Sequence, residues 1–221
     1  MNVQEIEQML KSIGKENVKR GWSHVDTKGD KTFGLDGKSI REAAKNLPTD
    51  ACLADELYGT ENHDLKYLAT YIDEPGSYSR DEIIHRCEQL YASPFGESFC
   101  KKILAKTPFA VECLEMWENS DDPDKISCIY YTLSALANQK NNLADEFFLK
   151  HLQKLEDQLP DQDDVVQESM SKALQAACNR NSSLRKESEK IADALSQEDL
   201  SHVVERKLKA TKAKAAHVTE S

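Results

Sequence analysis

The sequence predicts an all-α protein, an array of antiparallel helix pairs. Three observations carry that prediction. After Gly96 there is no glycine in the remaining 125 residues, and hairpins, bulges and phosphate loops all lean on glycine. Apolar residues recur at i, i+3, i+4, i+7, as in Leu65, Leu68, Ala69 and Ile72, and no comparable stretch alternates with a period of two. Helix starts are also punctuated repeatedly, by Ser93-Pro94, Thr107-Pro108 and Asp122-Pro123, each an N-cap residue followed by proline at the first helical position.

The elements follow in chain order, with ends good to a few residues. An amphipathic N-terminal segment predicts a helix over 2–13. Residues 14–38 place Gly14, Gly21, Gly29, Gly34 and Gly37 among lysines and aspartates and read as a polar loop. Helices follow over 39–47, 50–59 and 63–73. Ser79-Arg80-Asp81-Glu82 is a capping box that opens a helix over 79–92. Ser93-Pro94 starts the next, over 94–106, with Phe99, Ile103 and Leu104 on one face, and Thr107-Pro108 starts another over 108–119. Asp122-Pro123 opens 123–139, where Ile126, Ile129, Tyr130 and Leu133 keep the helical period. Helices over 142–159, 163–180, 183–196 and 200–215 complete the set, and a basic tail over 206–221 extends the last one and frays. Many helices with short links make either a bundle or a solenoid. The pair lengths suit HEAT-type repeats of about 40 residues, although no strict sequence repeat decides between the two.

Composition narrows the function classes. Aromatic residues are only 7% against 31% charged, so the core is aliphatic and thin, as between stacked helices. The net charge of −10 works against tight binding to a polyanion, but a local basic face on an acidic body remains compatible with it. Cys52, Cys87, Cys100, Cys113, Cys128 and Cys178 form no C-x-x-C pair, so buried free thiols in a reducing cytosol are expected. No metal site, cofactor or membrane span is expected, and the chain reads as cytoplasmic. Phosphate-loop, dinucleotide, zincin and nucleophile-elbow motifs are all missing. His85 and Cys87, two residues apart on a helix, do not face each other.

Ser93 to Ala110, S-P-F-G-E-S-F-C-K-K-I-L-A-K-T-P-F-A, resembles the centre of the DNA alkylation repair family, the AlkD-like DNA glycosylases built from HEAT-like repeats. Thr32 to Lys45 is similar to that family's opening motif, a phenylalanine-glycine corner before an arginine-bearing helix. Leu53-Ala54, Leu57-Tyr58, His63 to Ala69, Asp145 to Phe148 and Val166 to Asn181 are similar to later helices in the same order. The resemblance implies a single HEAT-like repeat α-solenoid domain over 1–221, with a concave basic surface that holds double-stranded or branched DNA. It also implies excision of cationic methylated purines, using two tryptophans and an aspartate. A carboxylate near the anomeric carbon would stabilise an oxocarbenium-like state there.

Several family positions are changed. The first tryptophan falls on Ser93, the aspartate on Glu97 and the second tryptophan on Lys172; two arginines fall on Ser127 and Gln175. The tryptophans the chain does carry are Trp22, in the polar loop, and Trp117, on an apolar helix face where it reads as core. The pattern is that of a relative without glycosylase activity. Glu97 is the one catalytic candidate, with the helix dipole as its structural alternative. Ser93 also caps the helix that Pro94 begins. Lys101, Lys102, Ser127, Lys172, Gln175 and Arg180 join Ser93 as candidate DNA contacts; a solvated face is the more ordinary account of Lys101 and Lys102, and a neutral surface substitution accounts equally for Lys172. Three functions stay open: a DNA-binding relative with weak or absent excision, an active glycosylase using Glu97, and a scaffold that binds a protein partner on its concave face.

Overall fold

The computed structural model describes residues 1–18, 31–90, 95–198, 200 and 202–219, of which 16–18, 202–203 and 214–219 are described in backbone only. The chain divides into two compact units, Met1–Phe109 and Ala110–Ser221. Among the described residues there is no strand, only an isolated parallel bridge between Lys31 and Asn62.

The first unit holds α1 (Val3–Val18), α2 (Gly37–Ala44), α3 (Ala51–Tyr58), α4 (His63–Ile72), α5 (Arg80–Leu90) and α6 (Gly96–Lys102). Side chains of Asp36, Asp50 and Asn62 accept backbone N–H groups at the starts of α2, α3 and α4, satisfying donors that a helix cannot pair internally. The capping box before α5 is closed both ways: Ser79 N–H donates to Glu82 at 2.8 Å, and Glu82 N–H to Ser79 Oγ at 3.4 Å. Helix α4 is central, packing on α1, α2, α3 and α6. Leu65, Leu68, Ala69 and Ile72 form its buried face.

Helix α1 runs on past its predicted end, and Gly14 lies inside it rather than opening a loop. A Cβ at Gly14 would stand 2.2 Å from the carbonyl oxygen of Phe33, so the glycine serves a close approach of backbones. Residues 19–30 of the predicted 14–38 loop lie outside the described residues. Thr107-Pro108 also behaves differently from its expected role. The Thr107 hydroxyl donates back to the Leu104 carbonyl at 2.9 Å, closing a short 3₁₀ turn at Leu104–Lys106. The next helix, α7 (Ala110–Trp117), begins two residues later than predicted.

The second unit holds α7, α8 (Pro123–Asn138), α9 (Asp145–Gln158), α10 (Asp164–Arg180), α11 (Ser182–Leu195) and α12 (His202–Thr219). Asp122 with Pro123, Asp163 and Asn181 start α8, α10 and α11. Helix α10 is the hub, packed on α8, α11 and α12, and it buries Val166, Met170, Ala173, Leu174 and Ala177 as its periodicity requires. Trp117 is buried at the end of α7. Cys87, Cys100, Cys113, Cys128 and Cys178 are buried, whereas Cys52 is exposed. No helix among the described residues is long and apolar enough to cross a membrane, and no group of side chains there is suited to holding a metal ion.

One buried group makes the second unit sensitive to acid. His151 on α9 is 4% exposed, and the edge of its ring meets Phe147 at 5.1 Å. Burial pushes its imidazole down from 6.5 to about 4, with Glu118 opposing the shift and Lys150 and Lys154 adding to it. The folded pKa lies below the unfolded one, so the unfolded chain binds the extra proton in between. Stability is therefore full above pH 6.5 and lost as pH falls toward 4, by about 3 kcal/mol. Urea unfolding at pH 7.5 and pH 4.5 should show a larger loss in the wild type than in His151→Phe; equal losses would refute the assignment.

Candidate nucleic-acid interface

In the first unit, helical spacing puts His63, Tyr67 and Tyr71 in one stripe along α4. Their ring centroids are 6.1 Å and 5.7 Å apart. Phe95, just before α6, underlies the stripe. It lies 5.6 Å from His63 and stacks on Tyr67 at 6.2 Å and 16°. His63 and Phe95 are buried, while Tyr67 and Tyr71 are half-buried. The Tyr67 hydroxyl reaches the start of α2, where a Cβ at Gly37 would meet it at 3.0 Å. A hydrogen bond of 2.9 Å between Thr70 and Ser98 fastens α4 to α6.

Cations surround these rings. Lys102 on α6 places its ammonium 4.0 Å from the centre of the Tyr71 ring. Burial holds that ammonium below the usual lysine range, and the nearby charges of Lys106 and Arg41 push in the same direction. Burial, together with Tyr71 and the charge of Glu97, raises the Tyr67 hydroxyl well above its ordinary value, with Arg41 opposing. Tyr67 thus remains a neutral phenol at any physiological pH. A half-desolvated ammonium beside two like charges gains from an approaching anion.

Glu97 lies in the first turn of α6 and binds Lys101 at 2.7 Å, one helical turn on. The pair is about one-third exposed on each side, so it contributes modestly to stability. Its carboxylate nevertheless occupies a cation that a phosphate would otherwise meet. Glu97→Gln is therefore expected to tighten DNA binding several-fold and steepen the log–log salt slope by about 1. A catalytic Glu97 predicts lost base release instead, so binding titrations at several salt concentrations separate the two roles.

In the second unit, Lys172 on α10 binds Glu168 at 3.1 Å and stands 5.0 Å from the centre of the Tyr131 ring. Lys207 on α12 binds the same Glu168 oxygen at 3.1 Å. Burial works to raise the Glu168 carboxyl, but hydrogen bonds from Lys207 and Lys172 outweigh it and leave the group below the usual range. Ser127 on α8 is buried, and among the described residues its hydroxyl has no hydrogen-bond partner. Gln175 is half-buried on α10.

Arg180 ends α10 on the wall of a polar cleft of about 510 Å³ lined by Asn138, Gln139, Asn141 and Asn181. Its guanidinium donates to the carbonyls of Leu136, Ala137, Gln139, Asn141 and Leu143 and to Asn141 Oδ1. It also lies 4.5 Å from the centre of the Phe148 ring. The group closes the C-terminal end of α8 and the following loop.

Of the residues read from sequence, Glu97, Lys101 and Lys102 come together in the first unit, and Ser127, Lys172, Gln175 and Arg180 belong to the second. Ser93 lies outside the described residues. Sequence reasoning missed Arg41, Tyr67 and Tyr71. The tyrosine spacing was visible, but both residues lie off the apolar face of α4, and only packing brings Lys102 to them.

No family model matches the chain, and no curated protein sequence matches it. A solved structure is similar: a protein from a family described as new, related to the HEAT-like repeat DNA glycosylases and with affinity for branched DNA structures. The two are 20% identical, the likeness covers 88% of this chain and 83% of that one, and the TM-score is 0.72. The likeness establishes the architecture: this chain has the HEAT-like repeat fold shared by relatives of the HEAT-like repeat DNA glycosylases.

Proposed function

We propose that this is a DNA alkylation repair-like protein that binds DNA in the cytoplasm without efficient base excision. It works as one HEAT-like repeat domain over residues 1–221. The observation that carries the reading is the half-buried Lys102 ammonium beside Arg41, Lys106 and Tyr71. Such a group favours a polyanion, and the charge-assisted contacts it makes are the strong kind. The structurally similar protein's affinity for branched DNA supports the same reading. Excision is disfavoured because the carboxylate at the family's catalytic position is bound to Lys101, and both tryptophan positions carry other residues. In the second unit, Ser127, Lys172 and Gln175 are further candidate backbone contacts.

The test is base release from methylated duplex DNA under single-turnover conditions, alongside DNA binding across a salt series. The expected outcome is no release and binding that weakens linearly in log salt. Release that vanishes in Glu97→Ala would establish an active glycosylase instead. Neither release nor binding would leave a protein partner as the ligand.

A further inference from the structure

The aromatic stripe on α4 has a consequence for which DNA is bound, resting on the DNA-binding reading above. In a continuous duplex every base has its faces covered by its neighbours and offers only edges, within the grooves. An aromatic side chain outside a groove has nothing to stack on there. At a strand branch, bases lose a stacking neighbour and expose a face. Sites for unpaired nucleic acid combine cations along the backbone with aromatic rings on which bases stack.

The first unit holds both parts. Tyr67 and Tyr71 are half-buried neighbours, 5.7 Å apart and tilted by 45°. Each ring is braced from its own side: Phe95 stacks on Tyr67 and Lys102 sits over Tyr71. The Thr70–Ser98 hydrogen bond fastens α6, and with it Lys102, against α4. Rings held this way lose little freedom when a base arrives, which limits the entropic cost of binding. Arg41 acts electrostatically on Tyr67 and Lys102 lies over Tyr71, so each ring has a cation beside it and a phosphate and its base can be met together.

We propose that Tyr67 and Tyr71 form a stacking site for an unpaired base, and that this site gives the protein a preference for branched over continuous DNA. The cations serve both substrates, and the tyrosines serve only the branched one.

The experiment compares a three-way junction with a continuous duplex of equal length, the junction carrying 2-aminopurine at the branch nucleotide. Wild type, Tyr71→Leu, Tyr67→Leu and Tyr71→Phe are titrated at one salt concentration, each checked for folding by thermal melting. Wild type is expected to prefer the junction and to quench the 2-aminopurine on binding. Tyr71→Leu should lower the junction-to-duplex affinity ratio about five- to a hundredfold, with the loss falling mainly on the junction. Tyr71→Phe, which keeps the ring, should retain both preference and quenching. If Tyr67→Leu melts early, Tyr71→Leu and the quenching signal still decide. Equal loss on both substrates, or wild-type binding without junction preference, would overturn the stacking site and leave the DNA-binding reading intact. Absence of salt-sensitive binding by the wild type would overturn both.

Discussion

Replacing Arg41 and Lys102 together by methionine is expected to weaken DNA binding about a hundredfold and to flatten the log–log salt slope by about 2. Each removed cation costs the counterion release of one phosphate contact, and charge-assisted hydrogen bonds contribute about 1.5–3 kcal/mol apiece. Methionine keeps the apolar stem, which matters for Lys102 because its side chain covers Tyr71. Relieving the mutual repulsion of Arg41 and Lys102 should leave folding stability unchanged or slightly raised. The measurement is fluorescence anisotropy across a salt series, with thermal melting as the control. An unchanged slope would remove this cluster from the interface. The opposite sign expected for Glu97→Gln gives the cluster a second, independent check.

The second large effect is on stability. Arg180→Ala is expected to destabilise the second unit by about 3 kcal/mol. One guanidinium serves five backbone carbonyls across the α8–α9 connection, and alanine leaves several of them unpaired in a partly buried setting. Arg180→Lys should rescue little, because a single ammonium cannot reach a fan of acceptors that a planar fork spans. The urea midpoint reports the loss. If Arg180 also meets phosphate, the folded fraction of the variant will show a flatter salt slope; if its role is confined to these carbonyls, the slope will match wild type.

The helices were legible because their signals are local. The capping box at Ser79 and Glu82, the Asp122-Pro123 start and the apolar periodicity of α4, α8 and α10 act within a few residues, and each reappears in the structure. Gly14 misled because a glycine in sequence signals a turn or a close approach equally well, and only the position of Phe33 selects between them. Thr107 misled likewise, since its hydroxyl can cap the next helix or close the previous turn, and here it donates to Leu104. At the candidate interface, Glu97, Lys101 and Lys102 could be found as positions. Their chemistry could not, because Tyr71 and Arg41 arrive from other helices. Arg180 shows the same limit: its place near the end of a late helix was readable, whereas the carbonyls that receive it lie some forty residues back in the chain.

The distribution of thiols makes the protein its own unfolding reporter. Cys52 alone is exposed, so one maleimide adds at once under native conditions and marks the folded baseline. Cys87 and Cys100 fall in the first unit, and Cys113, Cys128 and Cys178 in the second. Each of these five stays silent until the helices around it open. Counting adducts by mass, and then locating them by peptide, would clock the opening of the two units separately without introducing a single substitution.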